Sequence, residues 1–249
     1  MAGWRDGAAI AGSAGLVLAL IAGAALLAAG PGYRFGWWSL GTAFLVLRLA
    51  IYGGAAAVVL AAIGLVAWWR GRGSLVRPVA GLAIGLVVVG VPLSLLRTAQ
   101  GLPPIHDIST DLDDPPRFEA VVPLRGEGAN PHDARDADLA AQQREAYPDV
   151  GPILTGLPPA EAFARALDGA EAMGWRIVAA DPAAGRIEAI DRTLWFGFED
   201  DIVIRVRPDG DGARIDVRSL SRVGISDLGT NAARIRAYAA ELEPRLAAP

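Results

Sequence analysis

The sequence contains no cysteine, no lysine and only two histidines in 249 residues. Without cysteine, the chain cannot form disulfides, thiolate nucleophiles or thiolate metal sites. Without lysine, Schiff-base catalysis and a lysine-containing phosphate loop are excluded. All 23 basic residues are therefore arginines, a bias that we attribute to a GC-rich genome.

Acidic residues are scarce in the first part of the chain and abundant in the second. Residues 1–97 carry seven arginines and one acidic residue, whereas the remaining 152 residues carry 16 arginines and 26 acidic residues. The second part therefore has a net charge of −10, although the whole chain has only −4. Such a charge repels nucleic acid and anionic surfaces overall, so we expect no nucleic-acid partner.

Three long apolar runs predict that residues 1–97 form a bundle of transmembrane helices. We place the spans at about 8–30, 40–69 and 79–96, and each has at least the roughly 18–20 residues needed to cross the hydrocarbon core. The bilayer is thus an expected partner. Small residues in the runs permit close approach of helices: Gly12, Gly15, Gly23, Gly81 and Gly85.

The arginines predict the orientation of the bundle. Arg5 precedes the first run, and Arg70, Arg72 and Arg77 crowd the connection between the second and third. The positive-inside rule places both regions in the cytoplasm. The chain after Arg97 then lies on the opposite side, which predicts a bacterial inner-membrane protein with a periplasmic C-terminal domain. Aromatic residues fit belts at the two interfaces: Tyr33, Phe35, Trp37, Trp38, Trp68 and Trp69.

Two features of the apolar runs leave alternatives open. Residues 8–30 are also compatible with a cleaved signal peptide, because "LLAAG" offers small residues for cleavage. Arg48 interrupts the second run, and an arginine inside the membrane is a functional candidate. Since Leu49 to Trp69 alone suffices to span, we favour a position in which Arg48 snorkels to the outer surface.

The remaining chain predicts an arm followed by a small α+β domain. Residues 98–158 are rich in proline and aspartate and indicate an extended arm, with a short helix near 138–147. Residues 159–249 show a helix, two hairpins with turns "PAAG" and "PDGDG", and a final helix that ends before Pro244. This order predicts an antiparallel sheet with helices on one face and arginines pointing outward from the other.

Several motifs resemble the bacterial and plastid family called domain of unknown function 1499. They are "DISTDLDDPPRF", "YPDVGPI", "GFEDDIVIRVR" and "RIDVRSLSRVGISDLGTNAARI". The resemblance covers roughly Ile105 to Leu242, and the last motif is the most specific. The three apolar runs resemble the membrane-anchored branch of that family. The resemblance implies an architecture, and it implies neither an activity nor a cofactor.

Polar residues around the last predicted strand form the candidate ligand site. Two arginines near hydroxyls and loop amides are suited to a carboxylate or phosphate group. The alternative is architectural, with salt bridges to Glu188, Asp216 or Asp201 and ordinary helix capping. The candidate residues are Arg218, Ser219, Ser221, Arg222, Ser226, Asp227 and Asp201.

Metal binding and catalysis are weaker interpretations. The carboxylates Asp107, Asp111, Asp113, Asp114, Glu199, Asp200 and Asp201 offer oxygen ligands for a hard cation. Their spacing matches no known loop, and we expect no metal site and no cofactor. His106 and His132 are the only imidazoles, and no "GxSxG" elbow is present.

We therefore expect a non-catalytic periplasmic domain that binds an envelope protein or a small anionic ligand. Two alternatives remain: a hydrolase that uses the Arg/Ser/Asp corner near residues 218–227, and an activity of the membrane bundle with the outer domain as a scaffold.

Overall fold

The computed structural model describes residues 2–133 and 137–247, and it divides into two compact units. The first unit extends to Thr98 and also includes Leu194–Gly197. The second unit contains the rest of the described residues.

The first unit is a bundle of three apolar helices, as the sequence predicted. They are α1 (Ala2–Arg34), α2 (Leu40–Trp69) and α3 (Val76–Gln100). All three are long and apolar enough to cross a membrane, so they indicate a membrane-embedded N-terminal part. The helices α1 and α3 extend beyond the predicted spans, and α1 continues through Gly30 and Pro31.

Glycines allow the three helices to approach until their backbones touch. A Cβ atom on Gly15 would lie 2.9 Å from the amide nitrogen of Ala61, and one on Gly81 would lie 2.9 Å from that of Leu16. Both distances are shorter than van der Waals contact. These positions therefore exclude every larger residue, which confirms the role expected from close packing in membranes.

We predict that Gly15→Leu destabilises the bundle. The added side chain meets backbone of α2 that cannot move aside, and such overpacking costs about 1–3 kcal/mol. The midpoint of thermal unfolding in detergent should fall. Gly90→Leu is the matched control, because a Cβ atom on Gly90 meets nothing within 4 Å. Equal midpoints for the two variants would contradict the packing described here.

The second unit is built on an antiparallel sheet. Its long strands are the two predicted hairpins: β3 (Arg176–Asp181) with β4 (Arg186–Arg192), and β5 (Glu199–Asp209) with β6 (Gly212–Ser221). The short strands β1 (Asp107–Ser109) and β2 (Ile153–Thr155) both pair with the free edge of β6. The sequence did not predict these two strands, because three residues carry too little periodicity.

Two helices cover one face of the sheet and form the main core. They are α5 (Pro159–Ala172) and α6 (Thr230–Ala247), and the short helix α4 (Ala137–Ala146) precedes β2. Phe163 and Tyr238 from the helices pack against Ile204, Ile215 and Val217 of the sheet. The α+β prediction is thereby confirmed. The helix α6 continues past Pro244 by almost a turn, whereas the sequence predicted its end there.

The second face of the sheet is also covered, by residues 110–130 of the arm. Phe118 and Val121 of the arm pack on Ile190, Val203 and Leu220 of this face. The expectation that its arginines point outward is therefore wrong for the centre of the sheet, where Arg218 is only 3% exposed. Extended, proline-rich chain has no period that would reveal a packed face, so this cover leaves no signal in the sequence.

Candidate ligand site and the buried charge network

The seven candidate ligand-binding residues do not form one cluster. Register with β5 places Arg218, Arg222 and Asp201 on the face that the arm covers. Ser219, Ser221 and Asp227 lie on the helix-covered side, in contact with Asn231. Ser226 lies in the loop after β6 and accepts a hydrogen bond from the amide of Leu228.

Arg218 is fully engaged in holding the arm. Its Nε and Nη2 atoms donate to the two carboxylate oxygens of Asp107, at 2.9 and 2.8 Å. The guanidinium group also donates to the carbonyl oxygens of Pro116 and His132 and lies 5.0 Å from the ring centroid of Phe118. A planar, bidentate pair of this kind with additional carbonyl acceptors satisfies a buried guanidinium group.

Arg222 and Asp201 form a second buried pair. Arg222 donates to both carboxylate oxygens of Asp201, to the carbonyl oxygen of Leu124 at 3.1 Å, and to Glu199. Arg125 of the arm also contacts Asp201. The architectural alternative of salt bridges to Asp201 thus describes the position of Arg222.

A buried carboxylate fixes the middle of the arm. The side chain of Glu188 on β4 is fully buried, and its oxygens accept hydrogen bonds from the amides of Glu119, Ala120 and Val121 at 2.9–3.1 Å. Successive amides that converge on one carboxylate form an anion-binding turn. Here the anion is supplied by the sheet, where Arg186 on the same strand also pairs with it at 3.2 Å, so a shift of the arm breaks the amide contacts of Glu188 and leaves Arg186 as its ion-pair partner.

Asp111 joins the start of the arm to a group of arginines. Its Oδ2 accepts hydrogen bonds from Arg207 and Arg214 at 2.7 and 2.8 Å, and its Oδ1 accepts those of the amides of Asp113 and Asp114. Burial acts to raise the pKa of Asp111, but the amides and the two arginines outweigh it and hold the pKa below its usual value.

The helix-covered side holds a separate polar network centred on Arg234 of α6. Its guanidinium group donates to Asp200 at 2.6 Å, to Asp191 at 2.9 Å and to the hydroxyl of Ser219 at 3.0 Å. Asn231 accepts the hydroxyl proton of Ser219 and donates to the hydroxyl of Ser221 at 2.9 Å. The two serine hydroxyls are therefore bound within the network, and no described contact joins either hydroxyl to a histidine.

Asp227 caps α6. Its carboxylate accepts hydrogen bonds from the amides of Gly229 and Asn231, both at 2.8 Å. The ordinary helix capping that the sequence analysis considered as an alternative is thus provided by this residue. Burial raises the pKa of Asp227, and the two amides offset part of that rise.

A cavity of about 810 Å³ opens between the arm and α4. Arg117, Arg144, His132 and the buried Arg218 line it, together with the carboxylates of Asp113, Asp114 and Asp133. Arg117 and Asp133 have no ion-pair partner among residues 2–133 and 137–247, and Arg144 has only an exposed contact of 3.9 Å with Asp113. The volume is in the range of small-molecule sites. The sequence analysis did not name Arg117, Arg144 or Asp133, because these residues become neighbours only after the arm folds back.

The other sequence candidates are dispersed. The carboxylates considered for a hard cation are separated by their arginine partners: Asp107 binds Arg218, Asp111 binds Arg214, and Asp201 binds Arg222. The described residues include no group of three or more His, Cys, Asp or Glu residues placed to hold a metal ion. Arg48 lies in the first third of α2 with an exposed side chain.

We predict that Arg218→Ala destabilises the second unit strongly. The change breaks the buried, bidentate ion pair with Asp107 and the contacts of the guanidinium group with the carbonyl oxygens of Pro116 and His132, and breaking a buried pair costs about 3–5 kcal/mol. Arg117→Ala is the control from the same cavity, and its effect on the free energy of unfolding should stay within about 0.5 kcal/mol. Chemical denaturation of both variants measures the difference. Similar losses of stability would show that Arg117 also holds the fold.

We predict that Asp111→Asn lowers the stability of the protein at neutral pH and makes that stability less dependent on pH in acid. Because the folded pKa of Asp111 is lowered, its carboxylate contributes stability above the unfolded pKa of about 3.9 and loses that contribution as the pH falls through the folded pKa. The variant should be less stable at pH 7 by about 1–3 kcal/mol, and its stability should change less below pH 4.

Asp113→Asn is the matched control for that measurement, because the side chain of Asp113 is 97% exposed. Its profile of stability against pH should follow that of the unmodified protein. If the profile of Asp111→Asn were also the same as that of the unmodified protein, the carboxylate of Asp111 would not stabilise the arm.

Comparison with known proteins gives a family and no activity. The family model "Protein of unknown function (DUF1499)" matches residues 107–242, and no curated protein matches the chain. A crystal structure of TTHA0849 from Thermus thermophilus is 13% identical and covers 39% of this chain and 94% of its own, with a TM-score of 0.26; this likeness is too weak to support a conclusion. The resemblance seen in the sequence is confirmed over nearly the whole second unit, and the chain belongs to the DUF1499 family.

Proposed function

We propose that the protein is a non-catalytic binding module, anchored in a bacterial inner membrane, whose periplasmic domain holds a small ligand with an anionic group. The ligand occupies the cavity between the arm and α4. Its anionic group meets the guanidinium groups of Arg117 and Arg144, and His132 contributes a further polar contact.

One contrast between arginines carries this proposal. Arg205, Arg207 and Arg214 pair with Asp216 on the sheet, and Arg218 and Arg222 pair with carboxylates of the sheet in buried positions. Arg117 and Arg144 line the cavity without a comparable partner among the described residues. A guanidinium group without a carboxylate partner is available to an anion from outside the protein.

The non-catalytic part of the proposal is supported by the state of the two serines. Ser219 is completely buried, and its hydroxyl both donates to Asn231 and accepts from Arg234. A nucleophile requires a base within reach and access to substrate. The network around Ser219 and Ser221 instead ties α6 to the end of β6.

The periplasmic location is supported by the charges that flank the helices. The connection between α2 and α3 contains Arg70 and Arg72, and Arg77 lies at the start of α3. Three spans with that connection in the cytoplasm deliver the second unit to the opposite side.

Single-cysteine labelling tests the location, and the absence of native cysteine gives a clean background. Asp211→Cys in the turn after β5 and Ser74→Cys in the α2–α3 connection both place the thiol at an exposed position. In intact spheroplasts, we expect a membrane-impermeant maleimide to label the thiol at position 211 only. The thiol at position 74 should react after permeabilisation. The reverse pattern would contradict the proposed orientation.

Ligand binding is tested by thermal unfolding in the presence of inorganic phosphate, pyrophosphate and citrate. A ligand that binds only the folded state raises the midpoint of unfolding. We expect at least one of these anions to raise the midpoint of the unmodified protein, and the double variant Arg117→Ala/Arg144→Ala to lose that rise. Arg176→Ala is the control, because Arg176 is exposed on β3 away from the cavity. An equal rise in all three proteins, or no rise in any, would contradict the proposal.

A further inference from the structure

The loop that joins β6 to α6, residues 222–229, exposes apolar side chains. Ile225 is 81% exposed, Leu228 is 49% exposed and Val223 is 39% exposed. Single exposed apolar residues need no explanation, but three in one loop of an acidic domain form a patch. Such patches mark surfaces that contact another apolar phase or molecule.

The same loop lies against the chain that has just left the last apolar helix. Leu102, two residues after the end of α3, reaches to 3.2 Å from the position of a Cβ atom on Gly229. The amide of Asp227 donates to the carbonyl oxygen of Ile105 at 3.1 Å, and Asn231 donates to that of His106 at 2.9 Å. The loop is therefore fastened to the segment that links β1 to α3.

The length of α3 places this segment near the lipid headgroups. Its 25 residues correspond to about 37 Å of helix at about 1.5 Å per residue. A hydrocarbon core is about 30 Å thick and a bilayer with its headgroups about 40–45 Å. A helix of that length ends within the headgroup region, so Leu102, two residues beyond it, emerges there.

The loop holds its apolar side chains outward by polar contacts within itself. Leu228 has a positive φ of 55°, a conformation that costs a residue other than glycine about 1–2 kcal/mol. Its amide donates to the hydroxyl of Ser226, while the carboxylate of Asp227 binds the amides of Gly229 and Asn231. The backbone is thus fixed in a shape that turns the side chains of Ile225 and Leu228 away from the core.

We propose that this loop rests on the bilayer that contains α1–α3 and inserts Ile225 and Leu228 among the lipids. The inference goes beyond ligand binding, and it rests on the membrane-anchored part of the proposed function. Because the C-terminal part of the chain is acidic, the contact depends on apolar burial and needs no anionic lipid.

The experiment uses the full-length protein in phosphatidylcholine nanodiscs with one chain per disc. Single cysteines from Ile225→Cys, Leu154→Cys and Val59→Cys carry a small fluorophore, and a fraction of the lipids carries a nitroxide quencher on the acyl chain. Leu154 is the matched control, since it is 66% exposed and apolar but lies on β2. The neighbouring residue Ile153 pairs with Ile215, six residues before Ser221 at the end of β6. Position 154 is therefore roughly 20 Å along the strand from the end of β6 where the loop begins.

We expect strong quenching at position 59, in the middle of α2, and at least twofold more quenching at position 225 than at position 154. Strong quenching at position 59 with equal, weak quenching at positions 225 and 154 would contradict the contact between the loop and the lipid. It would leave the membrane anchoring unaffected. Absence of quenching at all three positions would overturn the membrane anchoring as well. Neither result depends on whether the cavity binds an anion, which the unfolding experiment measures separately.

Discussion

The second face of the sheet carries full charges in positions that water does not reach, and the fold of the second unit depends on how these charges are compensated. Glu188 has an exposure of 0% and Arg218 of 3%. An unpaired ion in such a place costs several kcal/mol. Much of the compensation comes from the arm, which supplies the amides of residues 119–121 to Glu188 and the carboxylate of Asp107, on β1, to Arg218. The sheet itself adds only Arg186 to Glu188, so we expect sheet and arm to fold as one body.

This requirement also explains why the cavity has its particular charges. Folding of the arm uses most of the arginines on the sheet and leaves available those that the arm and α4 themselves contribute, Arg117 and Arg144. On the other side of the sheet, the network around Arg234 holds α6 against the sheet. The hydroxyls of Ser219 and Ser221 are hydrogen-bonded within this network. Polar residues that are close in the sequence thus belong to two separate networks, one that holds the arm and one that holds α6. The arginines available to a ligand are Arg117 and Arg144.

Periodic segments revealed the architecture before the structure did, and aperiodic ones did not. The apolar runs of α1–α3, the hairpins β3–β4 and β5–β6, and the helices α5 and α6 each show a repeat that follows from one buried face. Alternation along β6 correctly separated Ile215 and Val217 from Arg214 and Arg218. It did not show that the arginine face is buried, because the covering segment has neither helical nor strand period. The cavity could not be predicted from the sequence for the same reason. Arg117 and Arg144 are 27 positions apart, and only the path of the arm brings them to the same cavity.

Hydrogen exchange at the amides of Glu119, Ala120 and Val121 tests most directly whether the arm and the sheet form one cooperative body. These amides donate to a buried carboxylate, so they can exchange only when the arm leaves the sheet. We predict that their opening free energy equals that of the central amides of β5, such as that of Ile204, and that both follow the global unfolding of the second unit. Exchange at residues 119–121 with a much smaller opening free energy, while β5 stays protected, would contradict this account and make the arm an independent, detachable cover.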